Sequence, residues 1–234
     1  MKSPIDGYPL LCFEELESTQ TLLIERVRAG ERVGAIRTDF QSKGRGRFDR
    51  NWTAKSGTSL LVSMAHFAYA DHAAPWLLGM ASAVACARAA GCQLQWPNDL
   101  VWNGKKLGGI LTELIDIPGF GQIAVVGLGF NCLGEPPLPT ATTLESSSLT
   151  TQTPDQLWDS FLREWEALPK VSSWADLKSS WVELDRTPGK VFRSPDGAEV
   201  VAKLVDEEGR LVGERDGELR VLVAAEALWG ETRS

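Results

Sequence analysis

The dipeptide Asn103-Gly104 restricts the fold of this chain more than any other pair of residues. A two-residue Asn-Gly turn takes positive φ at both positions and joins antiparallel strands. It lies between NDLVW (98–102) and KKLGGILTELI (105–115), both of which read as strands. A hairpin here does not belong in a purely parallel, doubly wound sheet, and the uneven helices around it point the same way. The chain therefore reads as α+β, with a mixed or antiparallel sheet flanked by helices.

Ser18 and Thr19 are helix-capping residue types, followed by Leu22, Leu23, Ile24 and Val27 at helical spacing and by Gly30 as a stop, which predicts a helix over 19–29. This is the first strong element expected in the chain. VGAIRTDF (33–40), TSLLVSMAHF (58–67), QLQW (93–96) and GQIAVVGLGFN (121–131) read as strands. Asp71 is placed to cap an alanine-rich helix over about 72–90 that Gly91 ends. After a Pro/Thr/Ser-rich loop (134–153), Leu157, Trp158, Phe161, Leu162, Trp165 and Leu168 mark one amphipathic helix. Trp174, Leu177, Trp181 and Leu184 mark another, and the period of these aromatics assigns them to the core. From Pro188 the pattern changes to short strands split by Pro195-Asp196-Gly197, Glu208-Gly209 and Asp216-Gly217. That predicts a small C-terminal SH3-like β-barrel, too short to hold a core alone and so docked on the rest. The expected division is 1–186 and 187–234.

Charge narrows the function. The 234 residues carry a formal net charge of -7, which argues against broad binding to nucleic acid or anionic membrane. No apolar run reads as a signal peptide or approaches a membrane span, so no DNA or membrane partner is expected and the location reads as cytoplasmic. Cys12, Cys86, Cys92 and Cys132 are scattered, and with only His66 and His72 beside them they form no zinc pattern; they read as buried free thiols.

Against that acidity stands QSKGRGRFDRNW (41–52), where Lys43, Arg45, Arg47 and Arg50 face the single Asp49. Dinucleotide-type GxGxxG patterns fail at Gly44 and at Gly127, and no GxxxxGK[ST] loop occurs. A glycine-rich loop can still turn backbone N–H groups and arginines toward a small anion. A solvated basic loop, or a single-strand contact with Trp52 stacking, would account for the same residues. A second constellation, QWPNDLVWNGKKLGGILTEL (95–114), brings Asp99 and Lys106 to neighbouring places across the hairpin, where alone they would form an ordinary salt bridge. A third, GLGFN (127–131), ends a buried strand in small residues and the polar tip of Asn131.

Together these pieces resemble the catalytic and C-terminal parts of biotin–protein ligases, in the form without an N-terminal DNA-binding helix-turn-helix. The shared marks are Ser18-Thr19, GRGR (44–47) with Trp52, WPND (96–99), KLGGILTE (106–113) and GLGFN (127–131), in order over about residues 15–131. Three positions depart from the family pattern: Gln95 where lysine is usual, Asp49 where glycine is common, and STQT where STN is frequent.

The resemblance implies two half-reactions: biotin and Mg-ATP give biotinyl-adenylate, and a lysine of a biotin carboxyl carrier domain then takes the biotin. It implies that Arg45, Arg47 and Lys106 hold phosphate and carboxyl, with Asp99 assisting the carrier lysine or a metal. Ser18, Thr19, Gln41 and Gly109 would line the biotin pocket, and Gly44 would let the loop wrap its ligands. Trp52 would cover the adenine, and Asn98 and Asn131 would help place ATP. Magnesium would come with ATP, near Asp99 and Asn131, without a dedicated protein site. A homodimer is left open. The alternatives are a divergent binder of biotin or another acyl-adenylate, and a lipoate- or octanoate-transferring relative.

Overall fold

The computed structural model describes residues 5–48, 50–67, 74–117, 121–194, 196–223 and 228–229. Asp49, Asp71, His72 and Pro195, each given a part above, lie outside the described residues. A seven-stranded sheet takes β1 (Leu10–Leu16), β2 (Ala35–Gln41), β5 (Ser59–His66), β6 (Gln93–Gln95), β7 (Asp99–Trp102), β8 (Lys105–Ile117) and β9 (Gly121–Asn131). The spatial order is β1-β2-β5-β9-β8-β7-β6. Only β1 and β2 run parallel; every other neighbouring pair is antiparallel. Two short strands, β3 (Gly44–Arg45) and β4 (Asn51–Trp52), make a separate hairpin that carries the basic loop.

Asn103 (φ 48) and Gly104 (φ 75) both take the positive φ that the β7–β8 turn demands. The β1 strand was not expected. Its alternating half-exposed pattern and Glu14 and Glu15 weaken the sequence signal, and its partner is a parallel neighbour far along the chain. Cys12 lies on this edge strand and is exposed, so only Cys86, Cys92 and Cys132 are buried thiols.

The two faces of the sheet are covered differently. Helix α1 (Thr19–Arg28) lays Leu23, Ile24 and Val27 against Ile36, Ile123 and Val125 on one face. Helix α2 (Pro75–Ala90) lies on the other, where its many alanines permit close approach to β8 and β9. Outside α2 pack α4 (Pro154–Ala167) and α5 (Trp174–Leu184), the former with a Thr153–Gln156 capping box. Their Trp158, Phe161, Trp174 and Trp181 are buried core, as their spacing indicates. The loop before them contains one short helix, α3 (Leu144–Ser147), capped by Thr143.

The C-terminal strands β10 (Val191–Arg193), β11 (Glu199–Val205), β12 (Leu211–Arg215), β13 (Glu218–Leu222) and β14 (Leu228–Trp229) form one antiparallel sheet, ordered β13-β12-β11-β10-β14. This antiparallel sheet fits the expected small SH3-like domain, although among the described residues no ladder joins β13 to β14 and no closed barrel is seen. Trp96 joins it to the larger sheet. Its indole Nε1 donates to the Gly209 carbonyl at 2.9 Å, and its ring meets Phe192 edge-on with centroids 5.6 Å apart. Its backbone N–H donates to Thr187 Oγ1 at 2.7 Å. One continuous apolar core then runs from α2 through Trp96 to Phe192, Val200 and Leu211.

Two outcomes follow from this packing. Gly209 has φ +74, and a Cβ there would come within 2.5–2.7 Å of the Trp76 ring. Gly209→Ala is therefore expected to lose about 2–3 kcal/mol in chemical denaturation, from backbone strain plus overpacking. Separately, burial lowers the pKa of His66, packed against Trp165, to about 4. The unfolded chain thus binds a proton that the folded one does not, and stability falls as pH drops from about 6.5 toward 4, by up to about 3 kcal/mol. A His66→Gln variant should flatten that part of the stability–pH curve.

Candidate active site

The floor of the site is the α1-side face of the sheet, and strand register orders it. Gly129, Gly109, Asp99 and Gln95 lie in register on β9, β8, β7 and β6, making one row across the strands. Ser63, Gly127 and Leu111 make the adjacent row on β5, β9 and β8. Three glycines keep this floor flat. A Cβ on Gly129 would fall 2.6–2.9 Å from the Trp52 indole, one on Gly127 would fall 2.8 Å from Gln20 Oε1, and one on Gly109 would fall 3.3 Å from Lys106 Nζ.

Above the floor lies a cavity of about 710 Å³, a size suited to a small-molecule ligand. Eleven of the twelve site residues expected from the sequence line it: Ser18, Thr19, Gln41, Arg45, Arg47, Trp52, Asn98, Asp99, Lys106, Gly109 and Asn131. Gly44 does not. It faces the backbone of Trp52 across the β3–β4 hairpin, with no room for a Cβ, and Gly46 lines the cavity instead.

At the α1 end the groups are neutral and hydrogen-bonding. Gln41 Oε1 accepts from the Thr19 backbone N–H at 2.8 Å and lies 3.1 Å from its hydroxyl, which also meets Ser63 Oγ at 2.9 Å. Ser18 caps α1, accepting from the Thr21 N–H at 3.4 Å. With Oε1 engaged, the Gln41 amide has its two N–H donors left to offer. Sequence reading missed Ser63, an unremarkable serine within an apolar strand, and Gln20, whose Nε2 donates to the Val125 carbonyl at 3.2 Å.

Toward the hairpin the groups are cationic, and each cation has a partner. Arg45 forms a two-pronged pair with Glu113, at 2.9 and 2.7 Å. Arg47 donates to Asn98 Oδ1 at 3.0 Å, while Asn98 Nδ2 holds the Ile110 carbonyl at 2.7 Å. Burial lowers the Arg47 pKa; Asp99 opposes this and Arg50 adds to it, yet a guanidinium stays charged at neutral pH. Lys106 Nζ sits 2.5 Å from Asp99 Oδ1. The Pro/Thr/Ser-rich loop clamps the Lys106 backbone, since its N–H donates to Thr140 O at 3.0 Å and its carbonyl accepts from Thr142 N–H at 2.8 Å. Nothing in the composition of that loop announced this role.

Asn131 donates through Nδ2 to Thr142 O at 3.3 Å, leaving its buried Oδ1 without a hydrogen bond. Such an oxygen suits a hard cation or its water shell. Among the described residues no group of three or more His, Cys, Asp or Glu gathers to hold a metal. Cys132, next to this site, is buried, with its thiol pKa pushed up to about 12, so it is a packed thiol and no nucleophile.

A mixed sheet bearing a glycine-floored cavity, neutral at one end and cationic at the other, defines an α+β domain with one polarised small-molecule cavity. The model of the Biotin/lipoate A/B protein ligase family matches residues 12–131, and the chain belongs to that family. It is 30% identical over 133 residues to the bifunctional ligase/repressor BirA of Escherichia coli, covering 54% of this chain but only 41% of that protein's length. It is 27% identical over 233 residues to the biotin–[acetyl-CoA-carboxylase] ligase of Mycobacterium tuberculosis, covering 90% of this chain and 85% of the relative. In fold it is similar to the biotin protein ligase of Aquifex aeolicus in complex with biotin and ATP, with TM-score 0.70, 23% identity, and 95% and 99% of the two chains covered.

Because the Trp52 ring rests on Gly129, that contact anchors the basic loop. Gly129→Ala should push the indole away and speed tryptic cleavage between Lys43 and Arg50 several-fold in a time course on the native protein.

Proposed function

We propose that the protein is an ATP-dependent biotin–protein ligase. The observation that carries this is the convergence of Arg45, Arg47 and Lys106 on one cavity whose opposite end offers neutral donors and acceptors. Biotin and ATP are the ligands named for the Aquifex aeolicus structure, and the Mycobacterium tuberculosis relative is named for joining biotin to acetyl-CoA carboxylase. In the first half-reaction a biotin carboxylate oxygen bonds to the α-phosphorus of ATP, and pyrophosphate leaves with the electrons of the broken P–O bond. In the second, a lysine amine of a biotin carboxyl carrier domain bonds to the activated carbonyl carbon, and AMP leaves.

The side chains divide the work. Thr19, Gln41 and Ser18 hold the ureido ring, and Gly109 leaves room for the bicycle. Arg45, Arg47 and Lys106 overcome the repulsion between carboxylate and phosphate, where preorganised positive charge is worth most. The pairs Arg45–Glu113 and Lys106–Asp99 are partly exposed, so exchanging a protein carboxylate for a ligand anion costs little. Asp99, once Lys106 turns to the ligand, is free to accept a proton from the carrier amine. Trp52 covers the adenine, and Asn98 keeps Arg47 aimed. Asn131 Oδ1, buried and without a hydrogen bond, would help hold a magnesium ion brought by ATP, which would supply charge screening for the phosphates.

Pyrophosphate release with ATP, measured against biotin, lipoate and octanoate, tests the reading: release is expected with biotin and near background with the others. Release only with lipoate or octanoate would reassign the substrate, and binding without release would make the protein a binder. Arg47→Ala and Lys106→Ala are each expected to slow adenylate formation at least a hundredfold, with the thermal melt nearly unchanged. Normal adenylation by either variant removes that residue from the chemistry.

A further inference from the structure

Thr187 is not among the residues that line the cavity, yet one of its bonds reaches the segment that carries Asn98 and Asp99. It is 1% exposed and lies in the connection between α5 and the C-terminal sheet. That connection is pinned on both sides. The Arg186 N–H donates to the Leu94 carbonyl on β6, and the Gly189 N–H donates to the Ala202 carbonyl on β11, each at 2.8 Å. Between them the Thr187 hydroxyl donates its proton to Asp185 Oδ1, and the same oxygen accepts the Thr187 backbone N–H at 2.8 Å. A hydroxyl has one proton to give. With that proton committed to the carboxylate, the Thr187 oxygen is turned toward the Trp96 backbone N–H as an acceptor, at 2.7 Å.

Trp96 opens the turn 96–98 between β6 and β7, and Asn98 closes it. Asn98 is held at one residue of β8: its carbonyl accepts the Ile110 N–H at 2.9 Å, and its Nδ2 donates to the Ile110 carbonyl at 2.7 Å. Two bonds to one residue fix where Asn98 sits but let the turn rock about that contact. The bond from Trp96 to Thr187 adds a point of support on the other side and stops the rocking. Asn98 Oδ1 in turn accepts from Arg47 at 3.0 Å, so the tilt of the turn becomes the aim of the guanidinium. The Trp96 indole keeps its own bond to Gly209, and loss of the Thr187 bond therefore frees the peptide without unseating the ring. We propose, resting on the ligase reading above, that Thr187 is a positioning residue for adenylate formation, with Asp185 orienting its hydroxyl. It fixes the turn 96–98 and, through Asn98, the angle at which Arg47 meets the phosphate.

The test is a double-mutant cycle between Thr187→Val and Asn98→Ala in the full chain, read by calorimetric binding of magnesium ATP, with biotin binding and pyrophosphate release followed alongside. Thr187→Val keeps the shape of the side chain and deletes the acceptor. It should weaken ATP binding about threefold to tenfold, the effect of one lost hydrogen bond, and slow pyrophosphate release at least as much. Biotin affinity should move less than about twofold, because Thr19, Gln41 and Ser63 take no part in the turn. Thr187→Ser restores the acceptor and should bring ATP binding back to within about twofold of the wild type. In the Asn98→Ala background, Thr187→Val should change ATP affinity by less than about twofold, since its effect passes through Asn98. Additive losses, an unchanged ATP affinity in Thr187→Val, no recovery in Thr187→Ser, or a parallel fall in biotin affinity overturns the proposal. Should Thr187→Val fail to fold, Asp185→Ala, which leaves the hydroxyl without its carboxylate, is carried through the same cycle. Non-additive losses of ATP binding with no pyrophosphate release sink the ligase reading and leave Thr187 in its role, and normal release with additive losses does the reverse. A wild type that binds no ATP sinks both.

Discussion

The site depends on a stretch of sheet with no side chains. Gly109, Gly127 and Gly129 sit side by side on β8 and β9, and only their missing Cβ atoms let Trp52, Lys106 and Gln20 lie down on the backbone. Strand glycines weaken a sheet, because they pack nothing and cost more entropy to order. Here the cost is borne in the middle of the sheet, flanked by the long β5–β9 and β8–β9 ladders. The opposite face carries Val126, Leu128 and Phe130 into the main core, so the same strand that is bare above is fully packed below.

Electrostatics completes what the floor begins. An acidic chain concentrates cations at one cavity and keeps each near a partner: Glu113 for Arg45, Asn98 for Arg47, Asp99 for Lys106. Like charges held together without a ligand would repel, and these partners relieve that repulsion at rest. Two of the pairs are carboxylates that an incoming carboxylate or phosphate can replace in kind. On the proposed ligase reading the site is prepared for anions without being left as a bare positive cluster, and that reading would account for a basic, glycine-split loop in a protein of net charge -7.

Elements with strong local signals were legible in the sequence. The Asn103-Gly104 turn, the Gly91 helix stop and the Ser18 cap each follow from a residue's own local preference. The 121–131 strand lies between the residues its apolar run indicates. Elements that depend on distant partners were not: β1 needs β2 beside it, and the loop around Thr140–Thr142 is ordered by the Lys106 backbone it brackets. The C-terminal strands were visible, but whether they close into the expected barrel was not, because closure is a matter of which edges pair.

The sequence by itself determined the chemistry available and its spacing: arginines split by glycine, WPND ahead of a tight turn, a lysine seven residues beyond an aspartate, and a strand ending in Asn131. Only the tertiary structure decided which of these meet. Register put Gln95, Asp99 and Gly109 in one row, and α1 carried Thr19 to Ser63, 44 residues away. The physical reason is range. Turn and cap preferences act over a few residues, whereas a row across strands exists only after the hydrogen-bond ladders between them have formed.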